Sequence, residues 1–459
     1  MAAARPAAGL AAPLHPKLSR GVAGRRTSVP LLEAWAKAER DPARPLVWFH
    51  APSVGEGLMA QAIMAALWEL RPDVQLAFTH FSPSAERLAA RVGADVHGYL
   101  PWDTRGPMRR MLEVFRPALI AFVRTEIWPV LTREAGRRGV RLALVNAILP
   151  ESSSRLRPLS RWLLGPAYAR LDAVGAVAAE DAGRFPRLGV AEERVHVTGD
   201  ARFDQVWARV QRGAGKGGGG QEASATARIL DRLRDADAFT VVAGSTWPAD
   251  EAHLVPAFAE LRAAVPDARL IIAPHEPDQA HLAGLERTLD QAGLAHARLA
   301  EVEKSAGPLP PAVLIDRVGI LADLYAIADA TYVGGGFHAA GLHSVVEPAA
   351  LERPVLFGPR NSNAREAAEL EAAGGGFTVR NAAEITRRLA EFATAEFATD
   401  PERRREAGRA AVAYVRSRLG GAAANARILA GLIDRAPAGP RPGVAPPGPG
   451  SPGPRAPRA

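Results

Sequence analysis

The chain has 459 residues, a formal charge of +8 and no cysteine, which excludes a disulfide framework, a thiolate metal cluster and a Cys nucleophile, and suits a reducing compartment. Its length fits about two to three domains at roughly 150 residues each, and with 47% hydrophobic residues disorder can describe only the ends. Four of the eight charges lie in residues 1–41 and three in an acid-free tail (Arg441, Arg455, Arg458), so the body between carries +1 and offers no global field for nucleic acid.

Residues 1–44 read as a basic, partly flexible segment. Its Ala-rich start is broken by Arg5, Pro6 and Pro13, and no apolar run reaches the roughly 18 residues of a spanning helix, so membrane contact is expected to be peripheral. From 45 to 210 the runs LVWFH (46–50), VQLAFTH (74–80), ALIAFV (118–123), RLALVNA (141–147), AVGAVAA (173–179) and VHVTG (195–199) alternate with amphipathic stretches. That is the rhythm of parallel strands separated by helices.

The chemistry-bearing residues follow these strands. Ala51-Pro52-Ser53-Val54-Gly55-Glu56-Gly57 is a small-residue turn into a helix. Glu56 sits near that helix's N-terminus, where the dipole and free amides favour its ionised form, which suits a general base and equally a plain cap. After ALIAFV comes Arg124-Thr125-Glu126-Ile127-Trp128-Pro129. Glu126 reads as a first-turn acid or a functional one, and two acids on one strand-end surface favour function. Gly199-Asp200-Ala201-Arg202-Phe203-Asp204 closes the unit; Arg202 can stabilise a leaving phosphate or belong to a surface salt bridge.

Residues 211–225, with Gly217 to Gly220, read as an exposed loop, since no Lys-Ser/Thr follows as a phosphate-binding loop requires. Asp235-Ala236-Asp237 is an Asp-x-Asp pair that precedes a strand, the wrong end of a sheet for a metal bridging a diphosphate; neither metal nor cofactor is expected. The strand rhythm restarts over 226–435 with FTVVAGS (239–245), RLIIAP (269–274), AVLID (312–316), ATYVGGG (330–336) and PVLFGP (354–359). Here Ser245 and Gly335 are candidate phosphate contacts, and Pro274-His275 follows a strand end. In His343-Ser344-Val345-Val346-Glu347 a turn enters a helix whose Glu347 is placed to accept from a ribose diol, while His343 reads as a capping or core partner more readily than a catalyst. Residues 436–459, rich in Pro, Gly and Arg, read as a disordered tail. The expectation is an α/β protein of two Rossmann-like domains facing across a cleft, with ligands at strand carboxyl ends.

In order, APSVGE, TEIWP, GDARFD, GSTWPADE, APHEP, DRVGILADLYAIAD, YVGGGF, GLHSVVEPAA and PVLFGPRNSNAREAAEL resemble the 3-deoxy-D-manno-octulosonic acid (Kdo) transferases of lipopolysaccharide assembly, over roughly residues 45–380. The resemblance implies an inverting, metal-independent GT-B glycosyltransferase that moves Kdo from CMP-Kdo to a lipid A precursor at the cytoplasmic face of the inner membrane. It implies Glu56 as general base, Glu126 as transition-state stabiliser and Arg202 in the place of a family lysine. It places CMP contacts at Pro274, His275, Val318, Gly319, Ile320, Ser344, Val345, Val346 and Glu347. The sequence departs from the commonest family pattern at Arg124 (for an acid), His275 (for Arg), Ile320 (for Glu) and Ser344 (for Asn). The rival readings are a GT-B transferase using a UDP-hexosamine, a UDP-sugar epimerase, and a non-catalytic nucleotide sensor.

Overall fold

The computed structural model describes residues 16–214, 221–234, 238–393 and 401–435. The chain forms two compact units, one of Met1–Gln205 with Leu419–Ala459, the other Val206–Arg418.

The first unit is built on strands β1 (Leu46–His50), β2 (Gln75–His80), β3 (Val96–Tyr99), β4 (Leu119–Val123), β5 (Arg141–Ala147), β6 (Ala173–Ala176) and β7 (Val195–Val197). They form one sheet in the order β3-β2-β1-β4-β5-β6-β7, parallel throughout. β1 and β4 are buried along their whole length, as a parallel sheet covered on both faces requires, which is why these strands read as continuous apolar runs. One face packs Trp48, Phe122 and Leu144 against Phe115 and Leu131. The other packs Val47, Phe49 and Val145 against Ile63 and Met64 of the helix Val54–Leu70 and against Ala426 and Leu429.

Those last two residues belong to the helix Gly421–Ile433, which packs on Val54–Leu70 and on β5. The domain boundaries read from the sequence, which ran the second unit from 226 to 435, are therefore corrected. The second unit begins at Val206 and the chain returns to the first after Arg418. A second correction concerns residues 1–44: Pro16–Ala38 is a helix docked on β3. Its Leu32 and Arg25 are buried, and Ser28 Oγ accepts the Tyr99 amide at 2.9 Å. β3 has only four residues, and the short VHGY carried no strand pattern of its own.

The second unit repeats the plan with β8 (Thr240–Thr246), β9 (Arg269–Pro274), β10 (His296–Arg298), β11 (Ala312–Leu314), β12 (Ala330–Val333), β13 (Val355–Phe357) and β14 (Gly376–Thr378), parallel in the order β10-β11-β9-β8-β12-β13-β14. Its faces are covered by the helices Pro248–Ala264 and Gln279–Gln291 on one side and by Ile229, Leu324 and Tyr325 on the other. β10 and β14, three residues each, were absent from the sequence reading. The helices Ala201–Ala214 and Gln221–Leu233 narrow the Gly-rich segment to positions 215–220, which, like Asp235-Ala236-Asp237, residues 1–15 and 436–459, lie outside the described residues.

In the first sheet the connections diverge between β1 and β4, and in the second between β8 and β12, where the β10–β11 connection also turns back at the outer edge. An open parallel sheet splays its following loops apart at such a switch point, and the crevice beyond the strands' carboxyl ends is where ligands bind.

Candidate active site

The switch point of the first sheet carries the two acids. Glu56 lies in the first turn of Val54–Leu70, three residues after the N-cap Ser53. A Ser and a Glu at this spacing can form a reciprocal capping box. They do not form one here: the Ser53 hydroxyl caps no backbone amide and instead donates to Glu56 Oε2. The half-buried carboxylate is thus oriented by one hydroxyl, and among the described residues no cation pairs with it.

Glu126 comes from the end of β4, in the loop before Trp128 caps the helix Pro129–Gly136, so it precedes the helix rather than lying in its first turn. Burial raises its pKa, Arg155 opposes this, and the negative charge of Glu56 raises it further. The two acids therefore share one electrostatic site, although 70 positions separate them in the chain. Thr125, between Arg124 and Glu126, is held by the Tyr168 hydroxyl, which donates to its carbonyl at 2.8 Å.

Arg202 is not on an open surface. Its guanidinium lies 3.3 Å from Asp200 Oδ2, and its amide donates to Asp200 Oδ1 at 2.9 Å. Asp200 is buried, also accepts from Asn146 Nδ2 at 3.1 Å, and has Arg124 at 3.8 Å. Arg124 thus joins Arg202 around one buried carboxylate. Its backbone pays for the position with a φ of 78°, a conformation costly for a residue with a Cβ. Asn146, at φ 50°, accepts the Ala201 amide at 2.7 Å, and its own amide donates to Asn425 Oδ1 at 3.2 Å. Asp204 accepts from the amides of Gly420 (2.8 Å) and Ala422 (3.0 Å), capping the C-terminal helix. The sequence reading missed Asn146 and Asn425. For Asn146 the one available signal was an Asn as the penultimate residue of a buried strand, because Asn tolerates positive φ.

At the second switch point Gly334 lets the ends of β8 and β12 meet. A Cβ there would fall 2.3 Å from the Ser245 carbonyl oxygen and 2.6 Å from Thr246 Cα. The half-buried Ser245 is itself left-handed at φ 55°. Gly335 requires a correction: the amide expected to meet phosphate donates to Asp250 Oδ2 at 2.8 Å. Asp250, fully buried, also accepts from Phe337 N (3.1 Å), Trp247 N (3.0 Å) and the Tyr332 hydroxyl (3.0 Å). It is the internal anion that shapes the glycine turn. Its position in GSTWPADE, at the start of a helix, concealed that role.

Pro274 ends β9 and is buried, whereas His275 beside it is exposed, its amide donating to the Thr246 carbonyl at 2.9 Å. Val318 and Gly319 are exposed in a turn, Gly319 at φ 101°, and Ile320 caps the short helix Leu321–Leu324. Ser344 Oγ accepts the Val346 amide at 3.4 Å. Val345 and Val346 are core residues with no exposed side chain, so they can offer a ligand only backbone. The helix Val346–Ala350 has only five residues, a weaker dipole than a long helix would give. Its Glu347 lines a cavity of about 300 Å³ together with Asp323, Arg209 and Arg353.

Two doubly wound units of this kind, with strand-end acids in the first, define an α/β protein of GT-B-like architecture. The family model of 3-deoxy-D-manno-octulosonic-acid transferase (Kdo transferase) matches residues 28–205. The 3-deoxy-D-manno-octulosonic acid transferase of Bordetella pertussis is 32% identical over 84% of this chain and 87% of that protein. Its namesake in Haemophilus influenzae is 26% identical over 69% and 71%. The solved UDP-GlcNAc 2-epimerase of Neisseria meningitidis is similar in fold, with a TM-score of 0.58 at 13% identity over 85% of this chain and 99% of that one. The chain belongs to the Kdo transferases, glycosyltransferases of lipopolysaccharide synthesis.

Proposed function

We propose that the protein transfers Kdo from CMP-Kdo to a lipid A precursor of the lipid IVA type, with inversion and without a bound metal. Glu56 accepts the proton of the acceptor hydroxyl as that oxygen bonds to the anomeric carbon. The bond from that carbon to the phosphate oxygen breaks, and CMP leaves with the electron pair. The observation that carries this reading is the Glu56 carboxylate, held by Ser53 at the sheet's switch point with a second acid, Glu126, in its field. A base must be oriented toward its proton and not consumed by a salt bridge. The raised pKa of Glu126 suits a group that interacts with the transition state as a hydrogen-bond donor.

The second unit holds CMP in this reading, with Glu347 toward the ribose and Pro274, His275, Ser245 and the Val318-Gly319-Ile320 turn around the rest; Ser344, Val345 and Val346 contribute at the step before Glu347. The Gly335 amide is left out, being engaged by Asp250. Arg202 and Arg124, both drawn to Asp200, supply positive charge to the strand-end surface of the first unit.

Among the described residues no helix is long and apolar enough to cross a membrane. A peripheral seat on the cytoplasmic face of the inner membrane is supported by Leu159, Trp162 and Leu163, which are 69%, 50% and 57% exposed on the helix Pro158–Tyr168. That helix packs against Pro129–Gly136, which carries Arg133 and is followed by Arg137 and Arg138. Exposed Trp and Leu beside arginines is the composition of an interfacial surface facing anionic head groups.

The test is incubation with a lipid A precursor and CMP-Kdo generated in situ, followed by mass analysis of the lipid. Wild type is expected to add Kdo. Glu56→Gln is expected to lose transfer by at least about 100-fold, as removal of a general base does, with CMP affinity unchanged. Normal turnover by Glu56→Gln would remove it from the mechanism, and tighter binding of UDP than CMP would favour a UDP-sugar enzyme.

A further inference from the structure

Four aromatic side chains meet at the carboxyl ends of three adjacent strands of the second unit: Trp247 after β8, His275 after β9, and His338 and His343 after β12. His338 lies flat on Trp247, centroids 4.2 Å apart and planes 5° apart. His275 stacks on both Trp247 (4.9 Å) and His343 (4.4 Å). Within this stack one hydrogen bond is directional: Trp247 Nε1 and His343 Nε2 are 3.1 Å apart.

An indole N–H can only donate, so His343 Nε2 can only accept, and its ring is neutral with the proton on Nδ1. Protonating Nε2 would set two N–H groups head to head, so the indole opposes the imidazolium form as well as the other tautomer. Burial likewise holds the His343 pKa below its ordinary value, as do His275 and His338, with Asp250 opposing. The residue is anchored too, its amide donating to the Gly334 carbonyl at 3.1 Å. Its Nδ1 has no hydrogen-bond partner among the described residues and is not sealed from solvent.

We propose that Trp247 locks His343 as the Nδ1–H tautomer, and that this N–H is a fixed hydrogen-bond donor to an anionic oxygen of the donor substrate, phosphate or sugar carboxylate. The inference rests on the reading that the second unit binds the donor. His343 contacts substrate; Trp247 is a positioning residue acting through it. A neutral donor suits an oxygen that gains negative charge as the bond to the sugar breaks, because it strengthens with that charge and keeps its proton.

The test is nuclear magnetic resonance of ring-labelled histidines in the full chain, free and titrated with CMP, with cytidine and with the free eight-carbon acidic sugar. Wild type is expected to show His343 as a single Nδ1–H tautomer and Trp247→Phe a mixture of the two. CMP is expected to shift the Nδ1 resonance and cytidine to leave it alone, which assigns the contact to phosphate; a shift with the acidic sugar and not with CMP assigns it to the carboxylate. Trp247→Phe is expected to weaken the responding ligand by about 3- to 10-fold, the worth of one neutral hydrogen bond. A mixed or Nε2–H wild-type ring overturns the proposal, as does CMP binding that leaves Nδ1 silent with the acidic sugar silent too. Those results leave the donor reading standing, whereas failure of any CMP to bind overturns both.

Discussion

Replacing Glu134 with Gln removes the carboxylate around which five guanidiniums gather. Arg105, Arg109, Arg133, Arg137 and Arg138 lie 3.4, 2.9, 3.9, 2.9 and 3.3 Å from its oxygens. The side chain is wholly buried, yet the arginines hold its pKa at about 2 instead of 4.5, hydrogen bonding and charge outweighing the burial that acts the other way. Such a depression corresponds to roughly 3 kcal/mol of folded-state stability at neutral pH. The arginines are 29–59% exposed, so solvent and salt screen the interaction, and about 1–2 kcal/mol is the expected loss in Glu134→Gln at pH 7. Because the folded pKa is depressed, the contribution is fully present above the unfolded pKa of 4.5 and is lost as pH falls toward 2. By pH 3 less than about half of it remains. Urea unfolding of both proteins at pH 7 and pH 3, and at pH 7 in high salt, measures this. Equal stability at pH 7, or a difference that widens as pH falls, would refute the argument that one carboxylate organises the basic face.

Asp204→Ala uncaps the C-terminal helix and is expected to cost about 1–2 kcal/mol, with faster amide exchange at Gly420 and Ala422, its two partners. His50 is fully buried and held neutral, its pKa lowered to about 3 by burial and by His80 and Arg25. The unfolded chain therefore binds a proton there below about 6.5 that the folded chain refuses, and stability falls as pH drops from 6.5 toward 3. His50→Asn is expected to flatten that acid limb in unfolding curves at pH 7, 5 and 4. Gly334→Ala drives a Cβ into the Ser245 and Thr246 backbone; a loss of at least about 2 kcal/mol by denaturant unfolding, together with weakened CMP binding, is expected.

The alternation of apolar runs with amphipathic stretches was enough to read two doubly wound sheets, because strands buried on both faces are continuous and hydrophobic. It failed for β3, β10 and β14, whose VHGY, HAR and GFT are interrupted by Gly, His or Arg; length alone did not decide, since β11 and β13 also have three residues and are read from AVLID and PVLFGP. The acids were legible for a related reason: Glu56 and Glu126 each follow a recognisable strand, and strand ends in a parallel sheet face one way.

Their shared field, however, needed the β1–β4 pairing that no local pattern encodes. Trp247 and His343, 96 positions apart, are joined in the same way, through β8 pairing with β12.

Local composition, then, determined the type of each long element and the residues offered at its end. Tertiary structure decided which of those groups remain available to a ligand. Gly335 lost its amide to Asp250, Asp204 turned to a helix that begins more than 200 positions later, and Arg202 was drawn to a buried Asp200 that Asn146 also holds. Buried donors and acceptors have to be paired, and the partner that pairs them is chosen by proximity in the fold, which periodicity along the chain does not record.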